Sequence, residues 1–156
     1  MSRRSVIKKR YPKPDSNYNS CLVSLLTARI LKSGKKSLAD SIILETFALI
    51  QEKTNLDPLQ VFEKAIQNIT PLVEVKARRI GGSTYQVPLE VSRYRGTNLA
   101  LRWLIAAAKA RAGRTISIKL ASEIIDASNN VGNAMRKREE THRMAEANTA
   151  FTHFRY

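Results

Sequence analysis

The side chains of this sequence best placed to do chemistry are arginines and lysines, and they come in groups. Arg3, Arg4, Lys8, Lys9 and Arg10 open the chain, Lys35 and Lys36 follow Gly34, and Lys76, Arg78 and Arg79 precede a Gly81-Gly82 pair. Guanidinium and ammonium groups only donate hydrogen bonds, and their natural counterpart is a phosphate oxygen. The chemistry offered is recognition of a polyanion.

Other chemistries lack their parts. A phosphate loop needs a glycine five residues before Gly34 and Ser or Thr after Lys35, but Arg29 and Lys36 stand there. Gly81-Gly82 opens no helix, so it reads as a hairpin turn rather than a dinucleotide fingerprint. His142 and His153 are the only histidines and lie more than one turn apart, with Cys21 remote from both. No metal set, catalytic constellation or cofactor loop emerges, and the expectation is a protein that is not an enzyme. His142, on a polar helix, is expected to be exposed or to touch RNA.

Two aromatics are candidates for base stacking. Trp103 shares a helical face with Leu99 and Ala106, which favours core packing. For Tyr85 two readings stay open, a cation–π contact with Arg79 or stacking on an unstacked base. The stretch Arg136 to Arg143 is polar throughout. Its Arg136–Glu140 and Glu139–Arg143 spacings fit a solvated helix, and equally one that protrudes into a groove.

Charge placement separates an RNA side from a water side. The 156 residues carry 27 basic and 13 acidic side chains, a net of +14. Residues 1–36 and 76–119 each hold a net +9, residues 37–75 a net −4, and residues 120–156 balance. An ordinary solvated surface intersperses its signs; two basic blocks divided by an acidic one suit a polyanionic partner, RNA or DNA first. No run of about 18 apolar residues suggests a membrane span. A lone cysteine excludes an internal disulfide and fits a reducing compartment. The basic start lacks the apolar stretch of a secretory signal and is expected not to be a removable leader.

The elements that must carry these residues are mostly helical. Residues 1–18 read as a basic RNA-binding extension, and residues 19–156 as one helical domain. Helices are expected over Ser20–Lys32 and 36–53, the second with Leu38, Ala39, Ile42, Ile43, Phe47 and Ile50 inward and Ser41, Glu45 and Glu52 toward water. The third starts with Asp57 as N-cap, Pro58 at the first helical position and Gln60 completing a capping-box spacing, and Pro71 ends it. Residues 72–91 alternate as a hairpin arm. A three-residue loop, Gly81 to Ser83, would pair Val73 with Val91, Val75 with Leu89, Ala77 with Val87 and Arg79 with Tyr85, giving one apolar face and leaving Lys76 and Arg78 on the other. It sets Glu74 against Glu90, which a nearby cation could screen. A fourth helix, about Thr97 to Ala112, is apolar nearly all round and is expected to be central, except for a stripe of Asn98, Arg102 and Lys109. A fifth puts Ile116, Leu120, Ile124 and Ala127 on one side until Asn129-Asn130, and the last covers about Val131 to Asn148. The fold class is mainly α with one β-hairpin between helices three and four.

Several strings then resemble a known family, small-subunit ribosomal protein seven. They are the turn Gly34-Lys35-Lys36-Ser37, the arm from Val73 to Pro88 with its Arg78-Arg79-Ile80-Gly81-Gly82-Ser83-Thr84-Tyr85 core, Ala100-Leu101-Arg102-Trp103, and the tail from Lys137 to Asn148. The resemblance spans the chain and is weakest over residues 37–70. It implies six helices with a protruding β-ribbon, binding to the 3′ major domain of small-subunit ribosomal RNA, and nucleation of head assembly beside other head proteins. Implied RNA contacts are Arg3, Arg4, Lys8, Arg10, Lys35, Lys36, Lys76, Arg78, Arg79, Arg95, Arg102, Arg111, Arg114 and Lys119. Implied neighbours of exit-site transfer RNA and messenger RNA are Arg79, Gly81, Gly82, Tyr85, Arg136 and Arg143. No cofactor, membrane or small-molecule substrate is implied. Met1-Ser2-Arg3-Arg4 and the tail resemble the cyanobacterial and plastid branch, which points to plastid stroma ahead of bacterial cytoplasm.

A DNA-architectural protein using the basic ribbon as a groove-binding arm is the rival reading. Such arms carry an apolar wedge at the tip, whereas this tip is Gly-Gly-Ser. An RNA-modifying enzyme would need an active site that the residues do not offer.

Overall fold

A computed structural model describes residues 12–154, so Arg3, Arg4, Lys8 and Arg10 lie outside the described residues. The order is α1 (Cys21–Ile30), α2 (Lys36–Thr54), α3 (Pro58–Ile69), β1 (Val73–Ile80), β2 (Ser83–Glu90), α4 (Arg93–Ala110), α5 (Ile116–Ser128) and α6 (Asn133–Ala147), then a 3₁₀ turn, Thr149–Phe154. Six helices with an antiparallel hairpin between the third and fourth match the expected class.

Local signals set most boundaries. Asp57 caps α3, its Oδ1 accepting from Leu59 N at 3.1 Å, with Pro58 in the first turn. Thr115 caps α5 through Ile118 N. The first helix stops two residues before the expected Lys32, and Ser33 and Gly34 both take left-handed angles beyond it.

The centre differs from the expectation. It is α5, packed on α2, α3, α4 and α6, that the other helices surround. Leu120, Ala121, Ile124 and Ala127 meet Leu26, Phe47, Ile50, Phe62, Ile69, Leu101 and Leu104 in one core. The α4 helix buries only Gly96, Ala100, Leu101, Leu104, Ala107 and Ala108. Its other side exposes Arg102, Ala106, Lys109 and Ala110 and leaves Trp103 half-buried at the core edge. Small alanines made the helix look apolar all round, yet exposing them costs little because they carry little apolar area. Leu38, expected inward, is 56% exposed at the first turn of α2, whose inward stripe runs Ala39, Ile43, Phe47 and Ile50.

The hairpin corrects the expected register. The turn is two residues, Gly81-Gly82, with φ of 56° and 92°. Two successive positive φ values are what the tight mirror-image turn of a twisted hairpin requires, and glycine adopts them freely. Pairing becomes Val73 with Glu90, Val75 with Pro88, Lys76 with Val87 and Arg78 with Tyr85. This one-residue slip moves Lys76 and Arg78 onto the face of Tyr85 and Val87, opposite to the expectation. Glu74 faces Leu89 instead of Glu90, and its cation is Arg95, whose Nε reaches both carboxylate oxygens at 2.7 and 2.8 Å.

Helix α6 and the turn after it hold the ribbon. The inward stripe of α6 is Ala134, Met135, Thr141 and Ala145. Glu123 of α5, fully buried, accepts from Ala134 N at 2.9 Å and from Arg111 Nε, while Asp126 takes Arg111 Nη2. Farther along, Arg138 donates to the carbonyl of Asn68, and His142 Nε2 accepts from Leu72 N at 3.2 Å. Tyr85 meets Phe151 ring to ring at 5.2 Å, which is neither of the two partners expected for it. The expected ion pairs of α6 do not form; Lys137 pairs with Glu140 at 2.7 Å instead.

Three outcomes follow. Glu123→Ala leaves Arg111 with Asp126 alone and uncaps α6, and should cost ~1–3 kcal/mol in denaturant unfolding, with Glu123→Gln losing less. Phe62→Ala should cost ~3–5 kcal/mol and half-buried Trp103→Ala clearly less in the same assay. For His142, burial first and the Arg138 charge second lower the pKa below its ordinary value. A lowered histidine pKa means that the unfolded chain binds the proton more tightly. The contact's contribution is therefore complete above about pH 6.5 and lost as pH falls through the folded pKa. Wild-type melting temperature should drop more steeply below about pH 6.5 than that of His142→Ala; parallel profiles would remove His142 from this role.

Candidate nucleic-acid interface

The exposed cations fall on three parts of the fold. The first is the junction of α1 and α4. Arg29 Nη2 donates to Asn98 Oδ1 at 2.6 Å, and Asn98 Nδ2 donates to Tyr94 O at 2.8 Å, so the amide is fixed from both ends. Arg102 lies one turn beyond Asn98, exposed, and close enough for its charge to act on Arg29. Burial first, and then Arg102, lowers the Arg29 pKa. Among the described residues neither arginine is ion-paired to a carboxylate. Two guanidiniums held together without an acid raise the local potential, and a phosphate there would meet both donors. Lys35 and Lys36 are exposed at the start of α2.

The second part is the ribbon. Lys76 is half-exposed and stands 3.9 Å from Glu74, a loose pairing, while Arg79 is exposed on the opposite face. Arg78, half-buried, lies across from Tyr85. Gly81 and Gly82 are exposed at the tip, with open space where a Cβ would stand. The bond to Glu74 raises the Arg95 pKa, and half of the Arg95 side chain remains exposed.

The third part is the link from α4 to α5. Arg114 is exposed, and the stem of Lys119 lies against Gly113, which holds that side chain over the link. Arg111 differs from its neighbours. Its Nε and Nη2 are committed to Glu123 and Asp126, and its first task is internal. Arg136 and Arg143, seven residues apart, share an exposed face of α6.

The chain order of these residues was readable; Arg29 was not. It stood out only as the residue occupying a phosphate-loop position, and its value comes from Asn98 and Arg102, some seventy residues away. Asn98 and Arg102 had been marked as a polar stripe, the one sequence signal that pointed toward the junction. Among the described residues no His, Cys, Asp and Glu group could hold a metal, and no helix is long and apolar enough to cross a membrane.

Comparison with known proteins agrees with the geometry. Residues 2–149 match the family described as ribosomal protein S7p/S5e. The chain is 61% identical over 156 residues to the small ribosomal subunit protein uS7 of Arthrospira platensis and 63% identical to that of Synechocystis sp., with all of each chain covered. It is 65% identical over 144 residues to the small ribosomal subunit protein uS7c of Trieres chinensis, covering 92% of this chain and 91% of that one. With cations assembled on helices and a ribbon, and a family match over nearly its whole length, the chain belongs to the ribosomal protein S7p/S5e family.

Proposed function

We propose that this ribosomal protein, structural rather than enzymatic, binds small-subunit ribosomal RNA through the surface formed by the α1–α4 junction, the α4–α5 link and the ribbon. The observation that carries the reading is Arg29, held by Asn98 within reach of the Arg102 charge, with neither arginine ion-paired to a carboxylate among the described residues. Such a pair is unfavourable until an anion arrives, and a phosphodiester supplies one. Residues 1–18 extend this basic surface as an RNA-binding arm of the helical domain. Lys35, Lys36, Arg114 and Lys119 join it from the turns, and Lys76, Arg78, Arg79 and Arg95 from the ribbon. Arg111 serves the RNA indirectly, by fixing the α4–α5 link.

The finer reading is that the RNA is the 3′ major domain and that the protein nucleates the head beside neighbouring head proteins. In this reading the ribbon tip, Arg79 with Gly81, Gly82 and Tyr85, and the α6 face bearing Arg136 and Arg143 lie near exit-site transfer RNA and messenger RNA. Support comes from a tip free of bulky side chains and from the α6 contacts that hold the ribbon alongside that helix. The relatives include cyanobacterial and plastid-type proteins. Plastid or bacterial ribosomes are both compatible homes, and the proposal favours the plastid.

Equilibrium binding to small-subunit ribosomal RNA across a salt series tests this reading. Each phosphate contact contributes roughly 0.7–0.9 to the slope of log K against log salt. The Arg29→Ala, Arg102→Ala double variant should flatten the slope by about 1.4–1.8 with helical content unchanged. Duplex DNA at the same salt should compete poorly. An unaltered slope, or equal competition by DNA, would overturn the reading.

A further inference from the structure

A surface feature outside the basic junction is a cleft between residues 12–18 and the α1–α2 pair. It measures about 500 Å³ and is lined among others by Lys13, Asn17, Ser24, Thr27, Lys36 and Asp40. That volume lies within the range of small-molecule sites.

The chemistry of the cleft turns on Asp40. Residues 1–36 contain a single acid, Asp15, whose Oδ2 is already used by Asn17 N at 3.0 Å and Tyr18 N at 3.3 Å. Asp40 is half-buried, and among the described residues no cation pairs with it. Lys36 stands one turn before it, in the weaker lysine-first order, and the pair does not form. An ionised carboxylate only accepts hydrogen bonds. Set among lysines that face an RNA backbone, it repels phosphates and lowers affinity unless it binds a donor. RNA supplies donors on base edges, and among the four bases only guanine offers two adjacent ones on its Watson–Crick edge, N1–H and N2–H.

We propose that this cleft receives one unstacked guanine of the bound RNA, with Asp40 accepting its Watson–Crick N–H groups and Lys13 and Lys36 meeting the flanking phosphates. Protein recognition of RNA sequence works in this way, on splayed bases in single-stranded regions. The inference rests on the RNA-binding reading and adds base selectivity to a surface whose other contacts are to backbone charge.

The test uses sign. Removing an acid from a basic RNA-binding surface should tighten binding if only phosphates are read, whereas loss of a base contact weakens it. Full-length Asp40→Ala should bind small-subunit ribosomal RNA about ten-fold more weakly at matched salt, within the range for a two-bond base contact. Asp40→Asn, which keeps the shape but replaces one acceptor with a donor, should also weaken it. Kethoxal, which attacks guanine N1 and N2, should leave one guanine unmodified in the wild-type complex and modify it in both variants. Glu52→Ala, on the outward face of α2, should match the wild type in both measurements. Equal or tighter binding by Asp40→Ala, or no guanine whose reactivity depends on Asp40, overturns the proposal. Failure of the wild type to bind the RNA would refute the RNA reading itself.

Discussion

The fold hangs on one buried carboxylate. Glu123 sits in the central helix with no exposed surface, receiving Arg111 from the end of α4 on one oxygen and the first-turn amide Ala134 N of α6 on the other. An ionised group in such a place is tolerable only if every oxygen is engaged, because desolvation costs several kcal/mol per ion. Three helices are therefore fixed to one point. Gly132 allows this approach, with φ at +105° and the position of a Cβ only 3.0 Å from Glu123 Oε1. The contact sets the direction in which α6 leaves the core.

The direction of α6 decides where the ribbon lies. A two-stranded hairpin is marginal by itself in water, and this one is held by contacts made along α6 and just beyond it. His142 takes the amide of Leu72 at the base, Thr141 and Ala145 are buried, and Phe151 covers Tyr85 nearer the tip. On the other side Arg95 of α4 holds Glu74. Arg138 reaches the carbonyl of Asn68, whose side-chain amide in turn binds the carbonyls of Ala127 and Ser128 at the end of α5. The polar face of α6, which in sequence suited a solvated helix, is in part a row of anchors.

Uneven charge gives this scaffold its purpose. Acids at the core junctions are paired internally, as Glu123 and Asp126 both are with Arg111. Among the described residues the outward cations of the α1–α4 junction pair with no carboxylate, and in the proposed reading an RNA backbone relieves their repulsion. Ion pairing inside and unpaired charge outside are two uses of the same residue types, set apart by burial.

Sequence alone determined the helix count, the hairpin, the cap at Asp57, the division of charge and the family resemblance. Those properties live in hydrophobic period, local capping chemistry and composition, which act over a few residues or are sums over many. It did not determine the ribbon register, because alternation fits either loop length when neither face is uniformly buried. The glycine pair's two positive φ values, and a carboxylate bonded by Arg95 rather than set against Glu90, decided it. Nor did the sequence show which apolar helix is central, since alanines at exposed positions of α4 look identical to buried ones. Arg29 became a candidate RNA contact, and Arg111 a structural residue, only through partners brought from other elements. Whether an arginine meets water, phosphate or carboxylate depends on what the fold places within about 3 Å of it, the reach of a hydrogen bond, and that distance exists only in the folded chain.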